Sequence, residues 1–310
     1  MIKGAGKSKG IRFSVAQASY LLVSVLLIVP LINPVDLLSV KISADAQVIY
    51  NYLERVLPAE TPVLIDLHYG SLARTGLEPQ LAIVVKHLFE KECKILFVST
   101  SPSGTGMFNQ FKSTSPGIFL NKRYGIDYVY LGNISGGEAA VAALARSIRE
   151  TVGKDFYGIS VTNYIELPIM SMVDKAEDFA LAFILSIETE VFDWYARHWA
   201  SRNVHLLFGT LSPTASSAGI HVKEGKAIGV IAGQKTTADY EILVGKAGQG
   251  FAAVKNRNFG CMLTIAFMFF GNMALLYWKS KHKAVNGGLQ HVEACSTQRF
   301  CIINITQFSR

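Results

Sequence analysis

Two stretches of the chain, KHLFEKECKILFVSTSP at 86–102 and RHWASRNVHLLFGTLSP at 197–213, align without a gap. They share a His, a basic residue four positions later, a Leu-Phe pair and a closing Ser-Pro. What precedes each shows what is built twice. In the first copy TPVLIDL (61–67) is a short run rich in branched apolar residues. EPQLAIVVKHLFEKE (78–92) then carries Leu81, Val84, Val85 and Leu88 at helical spacing, with Pro79 in its first turn, before CKILFVS. In the second copy DFALAFILS (178–186) reads as a strand, TEVFDWYARHWASR as a helix and NVHLLFGT as the closing strand. Two strands joined through a helix must run parallel. Strands apolar at nearly every position need a sheet covered on both faces.

Between the copies, IDYVYLG (126–132) reads as another strand and SGGEAAVAALARSIRE (135–150) as a helix, with Ser135 and Glu138 at capping-box spacing. The fold class that follows is α/β: a three-layer, Rossmann-like, mostly parallel sheet of at least five strands containing two similar βαβ units. The shared pattern fits an internal duplication and equally two units that converged on one pattern, and the fold is the same either way. Residues 101–123, rich in Ser, Thr, Gly and Pro, are expected to form a long loop covering the carboxyl edge or offering a docking surface. In 220–246, Gly225, Gly229 and Gly233 stand four apart. On a helix they would form a smooth stripe for close approach of another helix, in lipid or in a membrane protein partner.

Half the residues are apolar and the mean hydropathy is positive, more than one core of this size requires. The surplus lies in two uncharged runs, 14–35 and 258–278, each long enough to cross a hydrocarbon layer of about 30 Å as a helix. Tyr277 and Trp278 stand at one end of the second run, where an interfacial belt would be. The formal net charge of +7 is unevenly placed. Lys3, Lys7, Lys9 and Arg12 precede the first run without an acid, and Lys279, Lys281, Lys283, Arg299 and Arg310 follow the second against Glu293 alone. The middle of the chain is close to neutral. A basic excess confined to the flanks of apolar runs points to the bilayer and excludes a nucleic-acid partner, which would need a basic stripe on the domain. The expected order is a basic tail (1–13), a first span (14–35), an α/β domain (36–257), a second span (258–278) and a poorly ordered basic tail (279–310). The first A-x-A pattern, Ala44-Asp45-Ala46, lies well beyond the first apolar run, so that run reads as an uncleaved anchor. More positive charge before the first span than after it places both termini in the cytoplasm and the domain outside the cell membrane. Only Cys93 of the four cysteines lies in the domain, so no disulfide or Cys-based metal site is spelled out there.

The Ser-Pro endings follow strands, so 99–106 and 210–219 should hang from the carboxyl ends of the sheet, the edge where open α/β sheets hold ligands. Asp66, His68, Asn133, Ser135, Gly136, Gly137 and Glu188 should gather there too. The candidate ligand-binding set is Asp66, His68, Ser101, Ser135, Gly136, Gly137 and Ser212. Asp66 and His68 point to one face as acid–base partners or metal ligands could, yet spacing supplies no third ligand. The helix start at Ser135-Gly136-Gly137 leaves amides free to meet an anion, although small polar residues also simply make loops. His87 and His198 read as helix-end or packing residues. No cofactor is indicated: GAGKS at 4–8 lacks a preceding strand, Gly104 and Gly106 lack a third glycine, and neither G-x-S-x-G nor H-E-x-x-H occurs. Two functions remain. One is a membrane-anchored, non-enzymatic ligand-binding or assembly component. The other is a membrane-bound transferase or hydrolase acting on an anionic substrate, phosphorylated or not, at the carboxyl edge.

Overall fold

Six short runs of branched and aromatic residues become strands: β1 (Pro62–His68), β2 (Lys94–Ser99), β3 (Tyr128–Asn133), β4 (Leu181–Ser186), β5 (His205–Thr210) and β6 (Ala227–Ala232). The structure, a computed structural model, describes residues 42–245 and 248–286. The strands form one wholly parallel sheet in the order β3-β2-β1-β4-β5-β6, the order of doubly wound α/β folds. The chain divides into two units, Asp36–Phe259, which holds the sheet, and a second that within the described residues comprises 260–286.

Each face of the sheet has its own core. Val63, Ile65 and Leu67 of β1 face one side. There they meet α1 (Ala44–Asn51), α2 (Arg74–Glu90), α3 (Gly104–Thr114) and α9 (Gly233–Leu243). Leu64 faces the other side, with α5 (Glu138–Arg146), α7 (Thr189–His198) and α8 (Ala215–Lys223). Phe97, Phe183, Phe192, Phe208 and Trp199 are wholly buried, each worth roughly 1.5–3 kcal/mol or more in removed apolar surface. The short helices α4 (Pro116–Phe119) and α6 (Ile148–Thr151) complete the layers, and α10 (Gln249–Asn286) ends the described chain.

Four local expectations are corrected. Residues 101–123 are largely helical, not a long loop. Met107, Phe108 and Phe111 of α3 are buried, and Phe108 stacks on Tyr130 at 4.1 Å, so packing overrides the weak helix propensity of Ser, Thr and Gly. Pro79 lies in the second turn of α2, because the helix begins at Arg74. The Ser135–Glu138 capping box does not form: Gly137 is the N-cap and Ser135 Oγ instead donates to Asn133 Oδ1. The glycine stripe is also absent. Gly225 sits in a turn at φ +72°, Gly229 lies inside β6, and Gly233 turns the chain from β6 into α9 at φ +64°. Alternating branched residues in AIGVIA make this segment a sixth strand, with left-handed turns at either end that glycine adopts freely.

The expected first span and the basic tails beyond it and beyond residue 286 lie outside the described residues. The expected second span, 258–278, falls within α10. Among the described residues, no helix is long and apolar enough to cross a membrane.

Candidate functional site

The strand order reverses between β1 and β4. From β1 the chain passes into α2 on one face, and from β4 into α7 on the other. The carboxyl ends of these two central strands therefore bound the crevice in which such sheets hold ligands. Strand alternation turns Asp66 and His68 toward the α7 face, since Val63, Ile65 and Leu67 occupy the opposite one.

Asp66 is wholly buried. Its Oδ1 accepts the Thr100 amide at 3.0 Å, and its Oδ2 accepts the Thr100 hydroxyl at 2.5 Å and the Tyr195 hydroxyl at 2.9 Å. Burial pushes its pKa up, and the His68 charge and these donors offset only part of that rise. Burial also pushes Tyr195 well above the usual phenol range, helped by the neighbouring Asp66. His68 continues the chain outward: Nδ1 lies 2.6 Å from Thr100 Oγ1 and Nε2 lies 3.3 Å from Glu188 Oε2. The Glu188 side chain is 61% exposed, so the chain of contacts runs from the core to the solvent at the end of β4.

The donor count constrains the protons. With Asp66 ionised, Thr100 spends its one hydroxyl hydrogen on Oδ2 and must accept from His68 Nδ1–H. A hydrogen bond from Nε2 to the Glu188 carboxylate then needs a second ring proton, an imidazolium. With the proton on Asp66 instead, Asp66 donates to Thr100, Thr100 donates to Nδ1, and the neutral ring keeps its hydrogen at Nε2 for Glu188. The two arrangements hold the same number of protons and differ by a shift along two hydrogen bonds. The unit Asp66–Thr100–His68 is thus able to store one proton and present it at Nε2.

The remaining predicted residues, Ser212 excepted, lie around this core. The Ser101 carbonyl accepts from Asn133 Nδ2 at 3.1 Å, and Asn133 Oδ1 accepts from Ser135. Gly137 lies against the Trp194 indole, whose ring meets that of His68 edge-on with centroids 6.1 Å apart. Gly136 precedes it at φ +135°. Glu138, in the first turn of α5, pairs with Arg197 and His198, so the protein's own carboxylate supplies negative charge at that helix start. Ser212 stands apart: it follows β5, two strands from β1, and packs against Gly233. Spacing alone did not reveal Thr100, Tyr195 or Trp194. Tyr195 and Trp194 belong to the helical apolar pattern of α7, and Thr100 sits in a run of small polar residues typical of loops.

Other features lie elsewhere. His87 bonds Tyr240 at 2.6 Å and Glu54 at 2.9 Å, tying α2 to its neighbours as a packing residue does. A surface groove of about 710 Å³, lined by Lys86, Phe89, Ile118 and Leu120 among others, lies beside the C-terminal turn of α2 and so at the opposite edge of the sheet. Among the described residues, no group of three His, Cys, Asp or Glu side chains is placed to hold a metal ion. No protein-family description matches the chain, and no curated protein matches it.

Proposed function

We propose that the chain is a membrane-anchored α/β domain that acts as a non-enzymatic ligand-binding or assembly component, its ligand seated over β1 and β4 at the carboxyl edge. The contact of His68 with Glu188 across the reversal of strand order carries this reading, because it places a polar, solvent-reaching pair where this architecture forms its crevice. A melting screen of the full-length protein in detergent against small polar compounds tests it. Compounds that stabilise the native protein should lose their effect in both His68→Asn and Glu188→Gln. If no compound stabilises it, or if stabilisation survives both substitutions, the site is not there.

A transferase or hydrolase is the second reading, favoured by the Asp66–Thr100–His68 chain, which could take up a substrate proton at Nε2. Turnover of a stabilising compound, abolished in His68→Asn, would decide for it.

Membrane attachment draws support from the uncharged runs 14–35 and 258–278 with their basic flanks. It also draws on the course of 258–278 within α10, where Met262, Ile265, Phe267, Met268, Phe269, Leu275, Leu276, Tyr277 and Trp278 are 44–68% exposed. The same charge pattern supports an orientation with both termini in the cytoplasm and the domain outside. In a background without the native cysteines, an impermeant thiol reagent on intact cells should label Thr105→Cys and spare Asn286→Cys. The reverse pattern overturns the orientation.

A further inference from the structure

We infer that the ligand of this site, at the reversal of strand order, carries a protonated amine, which seats against both His68 Nε2 and Glu188, beside the Trp194 indole. This deepens the ligand-binding reading above and rests on it.

The argument begins with the acceptors. When Asp66 is ionised and the ring carries one hydrogen, the Asp66–Thr100 pair holds that hydrogen on Nδ1, because Thr100 has already given its own to Asp66. Nε2 then turns a lone pair toward Glu188 Oε2, 3.3 Å away. Two acceptors at that separation repel unless a donor lies between or beside them. An ammonium group, with three N–H donors and a positive charge, satisfies both at once. A neutral hydroxyl has one hydrogen and leaves one acceptor unmet.

The charges point the same way. Asp66 and Glu188 are both acids, and the one basic group bonded to either is His68; among the described residues no Lys or Arg pairs with either carboxylate. A phosphate or carboxylate ligand would meet this pair with like charge, whereas a cation is drawn to it. Trp194 adds a ring face of the kind that attracts ammonium groups, and it is only partly covered. Leu72 in the loop after β1 and Ile187 after β4 are 96% and 40% exposed, so the loops that leave these two strands carry exposed apolar side chains.

Titration calorimetry on the full-length protein in detergent tests the inference with four probes: ethanolamine, butane-1,4-diamine, propan-1-ol and acetate. The two amines should bind and the other two should not. Glu188→Gln should weaken the amines about tenfold, the factor that losing one charge-assisted hydrogen bond gives, while the neighbouring exposed Glu190→Gln leaves them unchanged. Because the Glu188 side chain is solvent-exposed, the variant should melt at the native temperature without ligand. Amines that bind Glu188→Gln as tightly as the native protein overturn the inference. Binding of propan-1-ol or acetate at least as tight as that of the amines, and lost in Glu188→Gln, overturns the ammonium assignment but leaves the site standing. Binding by none of the four overturns both readings.

Discussion

His68 and Glu188 face each other at 3.3 Å across the line where the strand order reverses, one from the end of β1 and the other from just beyond β4. Neither position is fixed by this contact alone. His68 is aimed by Thr100 behind it, and the Glu188 backbone amide is held by Ser186 Oγ at 2.9 Å. The exposed partner is thus free to leave, while the buried one is locked.

Thr100 is the joint of that arrangement, since its hydroxyl serves Asp66 and His68 together. Thr100→Val keeps the shape and removes the hydroxyl, leaving a buried carboxylate and a buried ring nitrogen each one partner short. Loss of about 1–3 kcal/mol of stability is expected in urea denaturation, and Thr100→Ser should restore most of it. A valine variant as stable as the native protein would mean that the three groups are not joined as described.

Asp66 sets a testable sign. Burial raises its pKa in the folded protein, so the folded state holds this proton more tightly than the unfolded chain does. Stability should therefore fall as pH rises from the ordinary aspartate value of about 4 through the raised folded value. Asp66→Asn has no proton to lose there. The stability of the native protein minus that of Asp66→Asn should decline across this window, as measured by denaturation at a series of pH values. A difference that grows with pH would show that the donors from Thr100 and Tyr195 outweigh burial.

The sheet and the position of Asp66 and His68 were legible in the sequence because strands buried on both faces announce themselves by continuous apolar runs, and a polar pair ending such a run stands out. The sixth strand was not, because AIGVIA lies between glycines whose spacing imitates a helical stripe. The α3 helix was hidden for the opposite reason: its Ser, Thr and Gly suggest a loop, and only the aromatic contacts of Phe108 and Phe111 make it a helix. Thr100 and Tyr195 acquire meaning only when β2 and α7 are brought beside β1, a contact between residues distant in sequence.

Gly229 discriminates packing from partner binding. A Cβ at this position would lie 2.5 Å from Ile49 Cγ1. Gly229→Ala should therefore overpack the contact of β6 with α1 and destabilise by roughly 1–3 kcal/mol. Ile49→Ala in the same chain should recover part of that loss, giving a favourable coupling in a double-mutant cycle. If Gly229→Ala instead leaves stability unchanged and weakens association with another membrane protein, the glycine belongs to a docking stripe after all.

Glu241 ties the domain to the start of α10. It is almost wholly buried, and its carboxylate accepts three backbone amides: Gly248 at 3.0 Å, Gly250 at 2.9 Å and Phe251 at 2.7 Å. A carboxylate at this place satisfies donors that a helix start otherwise leaves open and complements its dipole. Glu241→Gln replaces one acceptor oxygen by a donor and removes the charge, at an expected cost of about 1.5–3 kcal/mol for hydrogen bonds to a charged group. The loss should be local. Hydrogen exchange at the amides of 248–251 should speed up about ten- to a hundredfold, while the amides of β1 and β4 keep their protection. Equal acceleration throughout the sheet would mean that Glu241 supports the whole domain, and unchanged exchange at 248–251 would mean that the carboxylate does not hold the helix start.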